Sequence, residues 1–154
     1  MHFTLLGKRG YTMRISTKGR YGVRIMLELA LCYEQHLMAV RSIAAKQELS
    51  EKYIEQIISL LSKGGLVRSQ RGAAGGYRLA TKPSDITVGQ ILRVTEGGLL
   101  IVECTSQPCE RREDCVTVEI WTDIREAVEN VVDSITLEDL VTRHNEKNQL
   151  TCMA

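Results

Sequence analysis

Residues 48–79 constrain the possible fold more than any other stretch of this sequence. Ser50 is a residue type that caps helix N-termini, and Gly64 and Gly65 form a typical helix stop, so a helix is predicted between them. Its predicted buried face consists of Ile54, Ile57, Ile58 and Leu61. Two short strands then flank a basic, glycine-rich turn at residues 71–76. This is the layout of a winged helix-turn-helix, in which the helix enters the major groove of DNA and the hairpin tip meets the backbone or minor groove.

The net charge of +1 conceals a separation of charge along the chain. Residues 1–82 contain 14 Lys and Arg and 5 Asp and Glu, whereas residues 83–154 contain 6 and 14. Binding to DNA phosphates needs a local basic surface rather than a basic protein. Because the basic half coincides with the helix-turn-helix pattern, the charge distribution supports a nucleic-acid partner.

Length and composition limit the class of protein. With 154 residues, 44% of them hydrophobic, the chain can bury one modest core, or one core plus a dimerisation element. Two prolines and 5% aromatic residues favour a mainly α fold with a small β-hairpin. No apolar run has the length of a membrane span and no signal peptide is recognisable, so a cytoplasmic protein without membrane contact is expected. The lack of a phosphate loop or a C-x-x-C pair argues against an enzyme.

The chain divides into four predicted segments. Residues 1–12 lack periodicity and are expected to be a disordered or non-native extension. Residues 13–82 form the winged helix-turn-helix domain, residues 83–142 contain a cysteine loop and a dimerisation helix, and residues 143–154 form a flexible tail. Beyond the helix after Ser50, the predicted helices span about residues 17–33, 40–46, 88–96 and 116–134, with a short one from residue 137.

The long helix after the cysteine loop has apolar residues at alternating spacings of three and four, which is the seam spacing of paired helices. These residues are Trp121, Ile124, Val128, Val131 and Ile135. The seam could pack on the core of its own chain. A homodimer is favoured because a small DNA-binding module gains affinity and half-site spacing by pairing, so palindrome-like duplex sites are expected.

Three cysteines lie within a dozen residues of each other, at Cys104, Cys109 and Cys115. Thiolates hold iron–sulfur clusters, and soft ligands on one flexible loop can enclose a cluster. The alternatives are structural zinc, a disulfide in an oxidant sensor, or cysteines without a role; the C-x2-C knuckles typical of zinc are absent. Because the segment is polar and should be exposed, a functional role is favoured. Cys32 and Cys152 are expected to be structural.

Several motifs resemble the Rrf2 family of bacterial transcription regulators. They are MRISTKGRYGVRIMLELA, LSEKYIEQI, RGAAGGYRL, ITVGQILRVTEG, the cysteine loop, the tryptophan-bearing helix and ITLEDL. The resemblance covers about residues 13–142 and is strongest to the iron–sulfur cluster regulators of the IscR type. It implies a homodimer of winged-helix domains joined through the long helix. It also implies a [2Fe-2S] cluster with Cys104, Cys109 and Cys115 as ligands.

The resemblance extends to the residues that contact DNA. The candidate DNA-binding residues are Ser16, Lys18, Ser50, Lys52, Tyr53, Glu55, Gln56, Arg71 and Gly72. Among them Tyr53, Glu55, Gln56 and Arg71 match contact positions of the family. In the IscR-type regulators a glutamate at the position of Glu55 is linked to discrimination between promoter classes. An acid on a recognition helix can accept a hydrogen bond from cytosine N4, so this role is chemically reasonable.

The sequence does not identify the fourth ligand of the cluster. The histidine that these regulators carry three residues after the last cysteine is Val118 here, and the acidic ligand position of other relatives is Arg20. The remaining candidates are Glu103, Glu110, Glu113, Asp114, Glu119 and His144, or a thiol from solution.

The sequence therefore predicts a sequence-specific transcriptional regulator whose promoter binding is controlled by a [2Fe-2S] cluster that senses iron–sulfur or redox status. The alternative is a cluster-free Rrf2-type repressor of cysteine or sulfur metabolism, or a thiol-based redox switch.

Overall fold

The computed structural model of the chain describes residues 15–72, 74–99, 102 and 109–152. The helices are α1 (Thr17–Leu31), α2 (Val40–Gln47), α3 (Glu51–Lys63), α4 (Val88–Glu96), α5 (Val118–Asp133) and α6 (Leu137–Cys152), with a short 3-10 helix at Pro83–Asp85. The strands β1 (Val67–Gln70) and β2 (Gly76–Leu79) form an antiparallel hairpin. This mainly helical fold with one hairpin confirms the predicted fold class. The expectations for residues 1–12 and Cys104 fall outside the described ranges.

Side-chain caps fix where several helices begin. The hydroxyl of Ser50 accepts a hydrogen bond from the backbone N–H of Tyr53, and Thr87 forms a reciprocal capping box with Gln90. At the start of α6, the carboxylate of Asp139 accepts from the backbone N–H of Thr136. Each cap satisfies backbone donors that have no partner inside the helix and contributes about 1 kcal/mol. The predicted starts of α3, α4 and α6 are therefore confirmed.

A single apolar core joins helices from both parts of the sequence. Its fully buried large side chains are Ile25, Met26, Leu29, Ile43, Ile54, Ile57, Ile58, Leu61, Ile86, Ile91 and Leu137. Burial of each such side chain contributes about 1.5–3 kcal/mol relative to leaving it in water. Because Ile91 and Leu137 share this core with α1–α3, α4 and the start of α6 pack against the helix-turn-helix.

The hairpin is attached to the helices by backbone hydrogen bonds that the sequence did not predict. The N–H of Met38 donates to the carbonyl of Tyr77 at 3.0 Å, and the N–H of Tyr77 donates back at 2.9 Å. The linker between α1 and α2 therefore acts as a third, one-residue strand beside β2. Gly76 is required here, because a Cβ at this position would lie 2.7 Å from the carbonyl oxygen of Met38.

Two helices depart from their predicted lengths. α1 ends at Leu31, two residues before the predicted end, and α6 continues to Cys152 instead of fraying after His144. α5 begins and ends close to its predicted bounds, yet it contains no buried residue. Within the described ranges, no helix is both long and apolar enough to cross a membrane.

Candidate nucleic-acid interface and cysteine segment

The outer face of α3, which we call the recognition helix, presents polar side chains. Lys52, Glu55 and Gln56 are exposed, whereas the isoleucines on the opposite side are buried in the core. The core therefore fixes the rotation of the helix about its axis. Charged and amide groups that can meet base edges and phosphates point to solvent. The structure thus places these three predicted contact residues on one accessible surface.

The first turn of the recognition helix is joined to α1 through two tyrosines. Ser50 is exposed at the cap position, and Tyr53 is half-buried. The ring of Tyr53 meets the ring of Tyr21 edge to face, with centroids 6.2 Å apart and an interplanar angle of 85°. Such a contact orients both rings and contributes about 0.5–1.5 kcal/mol beyond area burial.

Ser16 and Lys18, at the start of α1, have different surroundings. The hydroxyl of Ser16 accepts from the N–H of Gly19 at 3.2 Å and donates to the carboxylate of Glu96 at 2.8 Å. Both hydrogen-bonding roles of Ser16 are thus used inside the protein, where they tie α1 to the end of α4. Lys18 is exposed. The geometry gives Ser16 a structural task and leaves Lys18 accessible to a ligand.

The wing, defined as the hairpin from Val67 to Leu79, carries the predicted contact residues Arg71 and Gly72 at its exposed turn. Gly72 has a φ of +121°, a value that L side chains rarely adopt, so glycine is required at this position. The carbonyl of Gly72 accepts from the N–H of Gly75 at 2.9 Å, which closes the turn. Arg71 is therefore displayed at the tip of a compact turn.

Four arginines that were not among the predicted DNA-contact residues add positive charge to the DNA-binding domain. Arg68 and Arg78 are exposed and lie directly opposite each other in the β1–β2 register, and the guanidinium groups of Arg20 and Arg24 lie over the Tyr21 ring. None of the four forms an ion pair with another described residue. The period-two alternation of β1 and β2 could have revealed the first pair, since Val67 and Leu79 mark the buried face.

The cysteine segment is described from Cys109 onwards. Cys109 and Cys115 are half-buried free thiols on either side of a turn at residues 110–114. The sulfur of Cys115 lies 3.3 Å from the hydroxyl of Thr117, and a hydrogen bond from that hydroxyl lowers the pKa of the Cys115 thiol below its ordinary value. Cys104 lies outside the described residues. The structure therefore brings two of the three predicted ligands to one turn.

The donors present fit an iron–sulfur cluster in their chemistry, although the described residues do not complete a site. Two half-buried free thiols, one of them with a lowered pKa, are the donors that such clusters require. Among the residues that can be placed, no group of three His, Cys, Asp or Glu side chains is arranged to hold a metal ion. The candidate fourth ligands Glu110, Glu113, Asp114 and Glu119 are exposed, and His144 lies on α6 with its Nε2 atom bonded to Asn148.

α5 contacts α4 through a bidentate ion pair between Arg93 and Asp133. Nη1 and Nη2 of Arg93 lie 2.6 Å and 2.7 Å from the two carboxylate oxygens of Asp133, and Glu129 is 4.0 Å from the same guanidinium. The Arg93 guanidinium lowers the pKa of the Asp133 carboxyl below its ordinary value. The apolar seam of α5 lies on another side, because Val131 is about 160° around the helix from Asp133 at 3.6 residues per turn. Val131 is 60% exposed and Ile120 is 53% exposed.

Comparison with protein families identifies this arrangement. Residues 15–143 match the family Rrf2, described as "Iron-dependent Transcriptional regulator". The chain is 48% identical to the HTH-type transcriptional regulator CymR of Bacillus subtilis, over 84% of this chain and 91% of that protein. It is 34% identical to the HTH-type transcriptional regulator IscR of Aliivibrio salmonicida, over 90% of this chain and 83% of that protein.

Solved structures give a similar ranking. The structure of CymR, "the Global Cysteine Regulator of B. subtilis", superimposes with a TM-score of 0.72 at 46% identity, covering 86% of this chain and 98% of that one. T. potens IscR superimposes with a TM-score of 0.70 at 41% identity, covering 87% and 90%. The chain is thus more similar to the CymR of Bacillus subtilis than to these two IscR proteins, which differs from the ranking expected from its motifs. These findings show that the protein belongs to the Rrf2 family, whose members are transcriptional regulators rather than enzymes.

Proposed function

We propose that the protein is a homodimeric, sequence-specific DNA-binding repressor that regulates genes of cysteine and sulfur metabolism. The observation that carries this proposal is the 48% identity to CymR over 91% of the length of that regulator. The similarity to CymR, the global cysteine regulator of B. subtilis, supports the choice of regulated genes.

The exposed chemistry of the recognition helix and wing supports DNA binding. Lys52, Glu55 and Gln56 are accessible together, and Arg71 lies on the turn that a winged helix places against the backbone or minor groove. The arginines at positions 20, 24, 68 and 78 extend the basic surface without acidic partners among the described residues. Local positive charge of this kind predicts an affinity for DNA that falls as salt rises.

The incompletely buried apolar seam of α5 supports the dimer. No residue of this 16-residue helix is fully buried by its own chain, and Val131 is exposed, so apolar area remains for a partner to cover. Two-fold pairing through this seam would bury Ile120 and Val131 in both subunits and set the separation of the two recognition helices.

A cluster-dependent regulator is the second candidate, favoured by one specific observation. Cys109 and Cys115 flank an exposed turn, and the thiolate form of Cys115 is stabilised by Thr117. Together with Cys104 they would hold a [2Fe-2S] cluster, which supplies redox and oxygen sensitivity when bound. The 41% identity to T. potens IscR is consistent with this alternative.

One experiment separates the candidates. Genomic fragments bound by the purified full-length protein are selected and sequenced, once after anaerobic iron and sulfide loading and once after metal removal. Fragments upstream of cysteine and sulfur genes, bound without metal, are the expected result. About two irons per chain, with binding that is lost when Cys109 and Cys115 are both changed to Ala, would favour the second candidate. Absence of any selected fragment in both states would contradict both.

A further inference from the structure

We infer that Arg20, Arg24 and Tyr21 of α1 form a binding site for a backbone phosphate of duplex DNA beside the first turn of the recognition helix. The inference rests on the proposed DNA-binding function and adds a phosphate contact on α1 beyond the predicted contact residue Lys18.

The geometry of the site brings two cations to one ring. The guanidinium carbons of Arg20 and Arg24 lie 5.9 Å and 5.5 Å from the centroid of the Tyr21 ring. Each cation–π contact attracts a guanidinium to the ring and offsets the weak repulsion between like charges four residues apart on a helix. Tyr21 therefore holds together two charges that would otherwise separate.

No acidic group of the described chain neutralises the two arginines. Helical spacing would offer Glu28 to Arg24, since the two are four residues apart. The carboxylate of Glu28 is already used, because its oxygens accept from Nζ of Lys46 at 2.8 Å and from Nε2 of Gln47 at 3.0 Å. Both arginines are exposed and neither forms an ion pair with another described residue. Two guanidinium groups without a carboxylate form a site suited to an anion with several acceptor oxygens.

The position of the site selects the kind of anion. The Tyr21 ring contacts Tyr53, the third residue of the recognition helix, and Lys52 is exposed on the same turn. When this helix lies in the major groove, the anions that border the groove are backbone phosphates. A phosphate bound by Arg20 and Arg24 would fix how deeply the recognition helix enters the groove, without reading the base sequence.

The test measures the salt dependence of DNA binding by the full-length protein. Fluorescence anisotropy between 50 and 300 mM KCl is recorded with two labelled duplexes of about 30 base pairs, one of random sequence and one selected by the protein itself. In the double variant Arg20→Gln/Arg24→Gln, we expect the slope of log affinity against log salt to decrease by about 1 on both duplexes, because the pair neutralises one phosphate, with roughly 10-fold weaker binding near 0.1 M salt. Each single variant should lower the slope by less than the double variant, because the remaining arginine still contacts the phosphate.

A matched control removes the same charge elsewhere. Arg143 and Lys147 are also four residues apart and exposed, on α6, so Arg143→Gln/Lys147→Gln should leave the slope unchanged. Tyr21→Leu keeps both charges but removes the ring that gathers them, so affinity should fall roughly 3- to 10-fold with the slope retained, and Tyr21→Phe should restore it. Arg20→Lys/Arg24→Lys should keep the slope, which guards against a folding defect in the glutamine variant.

A slope unchanged in Arg20→Gln/Arg24→Gln, or one that falls equally in the α6 control, would overturn the site while leaving the DNA-binding function intact. Failure of the unmodified protein to bind either duplex would instead overturn the proposed function together with this inference.

Discussion

α3 and α5 are both amphipathic helices, of 13 and 16 residues, yet only α3 has fully buried residues. Four residues of α3 are buried, because its apolar face meets the core that α1, α2 and the hairpin also form. α5 has an apolar seam of similar strength, but none of its residues is buried within the chain. An amphipathic pattern therefore predicts that the apolar face of a helix will be buried. Only the packing of the chain shows whether that face is buried by the same chain or is left for another molecule to cover.

The largest expected effect concerns the apolar core against which α3 packs. Ile57 is fully buried, so Ile57→Ala should reduce the free energy of unfolding by about 2–5 kcal/mol through lost burial and a residual cavity. Urea denaturation followed by circular dichroism measures this. Val116→Ala is the control, because Val116 is 85% exposed and its truncation should cost less than about 0.5 kcal/mol. Equal losses of unfolding free energy in the two variants would contradict the assignment of Ile57 to a stabilising core.

A second prediction tests whether the α5 seam is completed by another copy. Val131→Lys places a charge in the proposed two-fold contact, where desolvation disfavours it, so the dimer dissociation constant should rise at least about tenfold, or about 1.4 kcal/mol. Sedimentation equilibrium measures the change. The control is Asn130→Lys, which adds the same charge at the neighbouring exposed position on a different side of the helix. A monomeric parent protein, or a dimer unaffected by Val131→Lys, would contradict the proposed pairing.

The third prediction concerns the cap that starts the recognition helix. Ser50→Ala removes the acceptor of the Tyr53 backbone N–H and should destabilise the protein by about 1 kcal/mol. Ser59→Ala, in the exposed interior of the same helix, should be neutral or stabilise by a few tenths of a kcal/mol, since alanine has the higher helix propensity. Thermal unfolding of the two variants provides the comparison. A smaller loss for Ser50→Ala than for Ser59→Ala would show that the cap does not stabilise the helix.

The smallest expected effect concerns the ion pair between Arg93 of α4 and Asp133 of α5. Arg93 lowers the pKa of the Asp133 carboxyl, so the pair stabilises the fold above the unfolded pKa of about 3.9, and this stabilisation is lost as pH falls through the lower folded value. Asp133→Asn should therefore cost about 0.2–1 kcal/mol at pH 7, since the Asp133 side chain is 42% exposed and solvent screens the pair. Urea unfolding at pH 7 and pH 3 should show the difference from the unmodified protein shrinking in acid. A difference that is constant with pH would exclude the ion pair as its cause.

Local signals in the sequence were sufficient for much of the fold. Ser50, Thr87 and Thr136 marked helix starts correctly, because capping depends on residues three positions apart. The contacts that sequence reasoning missed join residues far apart in the chain. Arg93 and Asp133 are 40 residues apart, and no periodicity within either helix indicates their pairing.

The candidate site was predicted less completely. The exposed polar face of the recognition helix followed from its periodicity, because the buried isoleucines define the opposite side. Ser16 illustrates the limit, since its bond to Glu96 depends on a helix that arrives 80 residues later. Arg20 was noted only because an acidic ligand was expected there, and its position over Tyr21 depends on side-chain conformation. The ranking of relatives also differed from the motif-based expectation, and both CymR and IscR match this chain over most of its length.

The reciprocal bonds between Met38 and Tyr77 involve only main-chain atoms. The base of the hairpin is thus anchored by a connection that is indifferent to which side chains occupy the loop from residue 71 to residue 75. Variation of the loop positions other than Gly72, whose positive φ requires glycine, can alter which groups of a nucleic acid the loop contacts while its distance from the recognition helix stays constant. New binding preferences could therefore be introduced by exchanging this loop alone, without rebuilding the scaffold that carries it.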